Sequence, residues 1–308
     1  MKAKTIRAIE PNAGSKAKFE KKLAVFFEAS EKEAMKAIIE GLINEGILVD
    51  VPDDGMAQDA SFFGFELDAA KLLGRTLKLR PGISPDVVDK SVSTTIRSFL
   101  SRTLIKMGEN AKEVSSWFVR SAARSVTSSQ RKALTDAGIS PTAIRKKWNI
   151  PVINGLYMSP KAAEQLPGIV DDMTGLITRM AAEDLERVRS VITQGVTSGG
   201  TLSDIERALS ASKGFSQARA KRVALDQSIK VHQAVQRANA EELGITEGIW
   251  VHVPGRYTSR KTHMAMNGKR FKLNEGLYDS DVGKAVVPGE CPFCRCVYRS
   301  VLPPELLE

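Results

Sequence analysis

The sequence predicts an α+β protein: predominantly helical N-terminal and central regions, followed by a small α+β C-terminal module with short strands. Two observations predict the helical body. Apolar residues recur at three- and four-residue steps over several long stretches, and glycine or proline punctuation falls between them. A third observation sets the tail apart. All three cysteines, two of the three histidines and one of the three tryptophans lie within residues 248–302.

Ser15–Glu45 has the first helical pattern, with Leu23, Phe26, Phe27, Met35, Ile38, Ile39 and Leu42 on one side and Lys or Glu between them. Gly46 fits its stop, and Ile47–Val51 a short strand before a turn at Pro52 to Gly55. Residues 52–64 read as a loop, with Phe62, Phe63 and Phe65 as an apolar plug or an interface patch. Ser84 before Pro85 is a helix start, because proline's missing N–H costs nothing at the first position. That helix is expected to reach about Met107, and a second to span Ala111–Ala133.

On a helical wheel of the second stretch, Phe118, Val119, Ala122 and Val126 share one sector. Arg120, Arg124 and Arg131 line the far side within about 40° of each other, with Trp117 at the border. Pro160 and Pro167 predict irregular chain or short helices before a long helix over Thr174–Val196. Ser198, Gly199, Gly200 and Thr201 break it, a short helix runs from Leu202 to about Lys213, and a last long helix covers Ser216–Leu243. Ala220, Ala224, Gln227, Val231, Val235 and Ala238 fall along its packed seam, and His232 reads as a half-buried packing residue. Glu183, Asp184 and Glu186, interleaved with Arg187 and Arg189, read as a solvated face.

Four segments follow: 1–74, a helix plus short strand; 75–150, a basic helical region; 151–245, helical; and 246–308, the α+β module. The net charge of +9 is unevenly spread over them, at −3, +10, 0 and +2 in that order. A cationic excess confined to one stretch points to a polyanionic neighbour. The row formed by Arg120, Arg124, Arg131 and Trp117 is then either a non-specific DNA contact or a solvated helix face. Phosphate contacts of that kind carry no base preference and weaken with salt.

No apolar run is long enough to span a membrane, and Met1–Arg7 is not followed by the apolar stretch of a secretory signal. Synthesis in the cytoplasm is therefore expected. No Walker loop, nucleophile elbow or paired-histidine metal motif occurs, so neither a catalytic residue nor a small-molecule substrate is predicted.

The module begins with Ile249–Val253, a strand that puts Trp250 and His252 on one face. His263, Met266 and Asn267 fit one helical turn, and Asn267-Gly268 makes a tight turn. Arg270–Leu273 returns as a strand, Pro288-Gly289 turns again, and Cys294–Leu302 reads as the last strand. Thiolate and imidazole suit Zn²⁺, so His263, Cys291, Cys294 and Cys296 form a candidate structural metal site. Two other readings stay open. A disulfide would leave one cysteine over, and free cysteines are often small buried hydrophobes.

Trp250, the loop ending in His263, Asn267-Gly268, Pro288-Gly289-Glu290 and Cys294-Arg295-Cys296 together resemble the phage head morphogenesis domain. This is the minor capsid family typified by phage Mu protein F and the SPP1 minor head protein. The resemblance covers roughly the last third of the chain, including the helix before the module. It departs at Phe293, where the family pattern has asparagine, and at the additional Cys291. The resemblance implies a minor capsid protein of a tailed phage or prophage, with no enzymatic activity. It would be made in the bacterial cytoplasm, reside in the virion head and act near the portal, with portal and other capsid proteins as partners. The competing reading is a metal-dependent nuclease using His263 and the cysteine cluster. A nuclease of the His-Asn-His type commonly needs a second histidine or an aspartate on its cation, and no histidine follows His263.

Overall fold

The computed structural model describes residues 4–50, 77–80, 82–148, 152–153, 156–157, 159–197, 202–254 and 259–307. The turn at Pro52 to Gly55, the phenylalanine plug at residues 62–65 and the break at residues 198–201 lie outside the described residues. The chain is built of long helices and short antiparallel strand pairs, with a small sheet near the C-terminus. This is the α+β class, helical in its N-terminal part, that the sequence predicts.

The helices are α1 (Ala13–Asn44), α2 (Pro85–Asp136), α3 (Pro141–Trp148), α4 (Pro160–Thr197) and α5 (Leu202–Glu242). Three expected breaks are absent. The helices predicted to end near Met107 and to restart at Ala111 are one element, α2, which runs through Gly108. Glycine inside a helix costs only about 1 kcal/mol, and Met107 and Ala111 on either side are buried. Gly214 is likewise crossed within α5. Pro160–Pro167 is the first part of α4, with Pro167 inside the helix. Ser159 explains that start: its Oγ accepts the Ala162 N–H at 3.2 Å, while its own N–H donates to Asn239 Oδ1 at 3.2 Å. A capped first turn with Pro160 at its first position nucleates the helix that the prolines alone argue against.

The chain divides into two compact units, each assembled from separated segments. One comprises Lys22–Lys112 and Thr174–Ala220. It holds the antiparallel pair β1 (Leu48–Asp50) and β2 (Leu77–Leu79), and a core that includes Ile38, Leu42, Val88, Val92, Val188 and Ile192. Asp184 corrects the expectation of a solvated acidic face: only 3% of its side chain is exposed. Arg219 and Arg187 donate to its Oδ1 at 3.2 and 3.4 Å. Burial raises the Asp184 pKa and the two arginines oppose that shift. The positional pattern of α4 could not reveal this, because Arg219 comes from a different helix.

The other unit comprises Met1–Lys21, Glu113–Met173 and Lys221–Glu308. Phe118, Val119, Ala122 and Val126 are buried, as the wheel predicts, and Phe19 stacks on Phe118 with ring centroids 3.9 Å apart. Polar side chains also bridge this interior. Gln130 donates to the Gln236 carbonyl at 3.2 Å, and Asn239 to Thr127 Oγ1 at 3.1 Å. His232 is fully buried rather than half-buried, its Nε2 lying 2.9 Å from the Ile9 carbonyl. A short pair, β3 (Val152–Ile153) and β4 (Leu156–Tyr157), also belongs here.

The C-terminal sheet has the order β6-β5-β9, all antiparallel, with β5 (Glu247–Val251), β6 (Arg270–Lys272) and β9 (Val297–Ser300). Trp250 faces Tyr298 across β5 and β9, and Gly248 faces Phe271 across β5 and β6. Gly248 is dictated by this packing: a Cβ there would lie 2.9 Å from Tyr298 Cδ2 and 3.0 Å from Leu273 Cδ2. The free edge of β9 is taken by the N-terminus. Thr5 bridges Val301, the Ile6 N–H donates to Ser300 O at 3.1 Å, and the Leu302 N–H donates to Lys4 O at 2.9 Å. Ile6 and Ile9 enter the same core as Trp250, Phe271 and Leu134. The module thus gains the apolar surface that its own strands of three to five residues are too short to supply.

Candidate metal centre

Four pieces of backbone converge beside Trp250. The chain leaving β5 carries His252, the short helix α6 (Lys261–Met266) carries His263, the hairpin of β7 (Leu277–Asp279) and β8 (Lys284–Val286) carries Asp279, and the loop before β9 carries the cysteines. The last strand is shorter than the sequence suggests. It starts at Val297, so Cys294 and Cys296 sit in the preceding loop and are not held to one face of a strand.

Local hydrogen bonds fix each piece. Asn267 Oδ1 accepts the His252 N–H at 2.9 Å, and the Gly268 N–H donates to Trp250 O at 2.8 Å. The Trp250 and His263 rings meet edge to face, 5.4 Å between centroids. In the cysteine loop, the Cys294 N–H donates to Cys291 O at 3.0 Å, and Arg260 reaches the Pro292 carbonyl at 3.2 Å. Gly289, at φ +80°, lies so close to α5 that a Cβ would stand 2.7 Å from Gln233 Cγ. Asp226 of the same helix accepts the Phe293 N–H at 2.6 Å.

Phe293 itself has φ 57°, the only positive φ outside glycine among the described residues. The left-handed region strains a side chain with a Cβ, and asparagine tolerates it better. This gives a physical reason for asparagine at that position in the family pattern. Phe293 is 55% exposed, so replacing it sacrifices little packing. Phe293→Asn is expected to stabilise the protein by about 0.5–1 kcal/mol, read as a raised thermal midpoint. An unchanged or lowered midpoint would mean that the ring contributes more than the strain costs.

His263 is 3% exposed, and both its ring nitrogens are engaged. Nε2 lies 3.0 Å from Asp279 Oδ2. Nδ1 lies 3.4 Å from Cys294 Sγ and 3.7 Å from Cys296 Sγ. Cys296 Sγ is also 3.5 Å from His252 Nδ1. Two groups of buried donors therefore share His263: one with Cys294 and Cys296, the other with Asp279 and Cys291, the donor atoms of each lying within 4.8 Å of one another. Of the residues predicted as ligands, the structure brings His263, Cys294 and Cys296 together and puts Cys291 in the second group. All three cysteines are free thiols.

Electrostatics follow from these contacts. The hydrogen bond with Cys294 raises the His263 pKa, opposed by burial and helped by Asp279. Burial pushes the Asp279 carboxyl up, but hydrogen bonds from Thr262, the Asp281 N–H and His263 outweigh it and hold the pKa low. Nε2 of His263 thus faces the Asp279 carboxylate, and Nδ1 faces the two thiols. The neighbouring Cys296 thiol and burial raise Cys294, whereas Cys296 is lowered, first by the hydrogen bond it shares with Cys294. Burial raises Cys291.

Sequence reasoning missed His252 and Asp279 as members of the cluster. The alternation that puts His252 on the face of Trp250 was a usable signal for the first. Asp279 had none at the level of spacing, because the β7–β8 hairpin consists of two three-residue strands.

The predicted DNA contacts lie elsewhere in this unit, on α2. Arg120 and Arg124 are exposed, and Trp117 and Arg131 are half-buried. The row therefore presents two exposed arginines.

The chain is thus helix-rich, with a small sheet near its C-terminus beside an imidazole–thiol cluster. Residues 186–299 match the family model described as "Phage Mu protein F like protein", which supports the resemblance of the C-terminal part to a phage head morphogenesis domain. A curated "Uncharacterized protein" of Haemophilus influenzae is 26% identical over 161 residues, 52% of this chain and 35% of that protein. The chain thus matches about a third of that relative's length. No solved structure matches.

Proposed function

We propose that this chain is a minor capsid protein that acts near the portal during assembly of a phage head, its C-terminal module serving as a rigid docking unit for neighbouring head proteins. The family match over residues 186–299 carries the reading. The cluster is consistent with it. A hydrolytic role for His263 needs an accessible ring nitrogen, whereas this ring is 3% exposed with both nitrogens occupied. Heads purified from the phage or prophage that encodes the chain should retain it through a density gradient, in fewer copies than the major shell protein. Its absence from every assembled particle would refute the reading.

Arg120 and Arg124 extend the proposal to DNA. The cationic stretch containing them is expected to bind duplex DNA without sequence preference, each phosphate contact adding about −0.9 to the slope of log K against log salt. Arg120→Glu with Arg124→Glu should flatten that slope by about 2 in an anisotropy titration. An unchanged slope would mean that this row faces protein or solvent.

A further inference from the structure

We propose that this protein binds one Zn²⁺ through Cys294 Sγ, Cys296 Sγ and His263 Nδ1, with His252 Nδ1 completing a tetrahedral set and Asp279 orienting His263 from outside it. Zinc bonds of about 2.3 Å to sulfur and 2.0–2.1 Å to nitrogen, at tetrahedral angles, place nitrogen and sulfur ligands roughly 3.5 Å apart. The separations around this site are 3.4, 3.7 and 3.5 Å. His263, Cys294 and Cys296 are thus spaced for an ion between them, with His252 beside Cys296.

The contact at the other ring nitrogen fits as well. Zinc-ligating histidines characteristically donate their second ring N–H to a carboxylate, and Nε2 of His263 meets Asp279 Oδ2 at 3.0 Å. Asp279 is in turn held by the Asp281 N–H at 3.0 Å, while Thr262 donates to Asp281 Oδ2 at 3.3 Å. The orienting carboxylate is fully buried, a costly placement without a fixed partner. Binding replaces the protons of the Cys294 and Cys296 thiols by the dication and releases both to solvent, so affinity rises with pH. The two bound thiolates balance the charge of the ion.

Two candidates compete for the fourth position. Cys291 pairs with Asp279 on the other edge of the His263 ring, and its loop carbonyl is used to turn the chain back to Cys294. His252 lies beside Cys296 and is only half-buried. Its Nδ1 is 3.5 Å from Cys296 Sγ, and Asn267 holds its backbone. The site rests on these distances alone and does not depend on the role in head assembly, so either can fail without the other.

The test uses the full-length protein, expressed with zinc in the medium, and its metal content is read by elemental analysis. One equivalent of zinc is expected, with the thermal midpoint lowered by a strong chelator and restored by zinc. Cobalt titrated into the stripped protein should give the intense visible bands of a tetrahedral thiolate site, a readout that requires no variant. Cys294→Ser and Cys296→Ser should lose the metal, and Asp279→Asn should weaken it about 10- to 100-fold. His252→Ala should weaken zinc binding, and Cys291→Ser should leave it unchanged. A metal-free protein with no cobalt bands and a melting profile indifferent to chelator would overturn the site. Loss of zinc in Cys291→Ser together with full retention in His252→Ala would overturn the ligand set.

Discussion

Trp250→Ala is expected to destabilise the unit that contains the C-terminal sheet by about 3–5 kcal/mol, the range for deleting a large aromatic from a closed core. Trp250 is fully buried, opposite Tyr298 on β9 and edge-on to both Phe271 and His263. Its loss removes a wall of the sheet core and a wall of the imidazole–thiol cluster together. The pleat and hydrogen bonds of β5 survive the substitution, so the cost falls on packing. Chemical denaturation followed by circular dichroism measures the loss, and hydrogen exchange at β5 and β9 locates it. A change below about 1 kcal/mol would place the stability of this unit outside the sheet.

Acidification should produce the second largest effect, through His232. Its pKa is lowered to about 4, chiefly by burial, against hydrogen bonds with Ile9 and Gln236 that favour the charged form. The unfolded chain restores the value near 6.5. Between these limits the unfolded state binds the proton and the folded state resists it. The stability contributed by neutral His232 is therefore complete above pH 6.5, is lost as pH falls towards 4, and changes no further below that. The loss sums to about 3 kcal/mol. His232→Gln keeps a donor for the Ile9 carbonyl and removes the titration, so the variant should lack this part of the acid slope. Parallel pH profiles of the two proteins would contradict the assignment.

The helical body was legible because burial follows a 3.6-residue period that composition cannot disguise. Phe118, Val119, Ala122 and Val126 on α2 illustrate it, as do Ala220, Ala224, Val231, Val235 and Ala238 on α5. Helix ends were less legible, since Gly108, Pro167 and Gly214 carry local penalties that the surrounding chain overrides. Ser159 shows why this escapes sequence reading: its cap is completed by Asn239, eighty residues away. The edge of β9 is hidden for the same reason. Nothing in residues 4–6 announces that they will bond to residues 300–302.

The candidate site was half legible. Soft donors concentrated near the C-terminus pointed to His263, Cys294 and Cys296, which stand together. His252 and Asp279 join them through strand pairing and a short hairpin, and both depend on register that three-residue strands do not encode by themselves. Asp184 is the counterpart in the helical body: periodicity assigns it to a solvated face, and Arg219 on another helix makes its burial tolerable.

The proposal that everything else depends on is that this polypeptide is a component of a phage head. Deleting its gene in the parent phage or prophage, then imaging and titring the particles, tests it most directly. Malformed or unfilled heads and lost infectivity, rescued by the intact gene supplied in trans, are the predicted result. Normal, DNA-filled and fully infectious particles made without it would contradict the account.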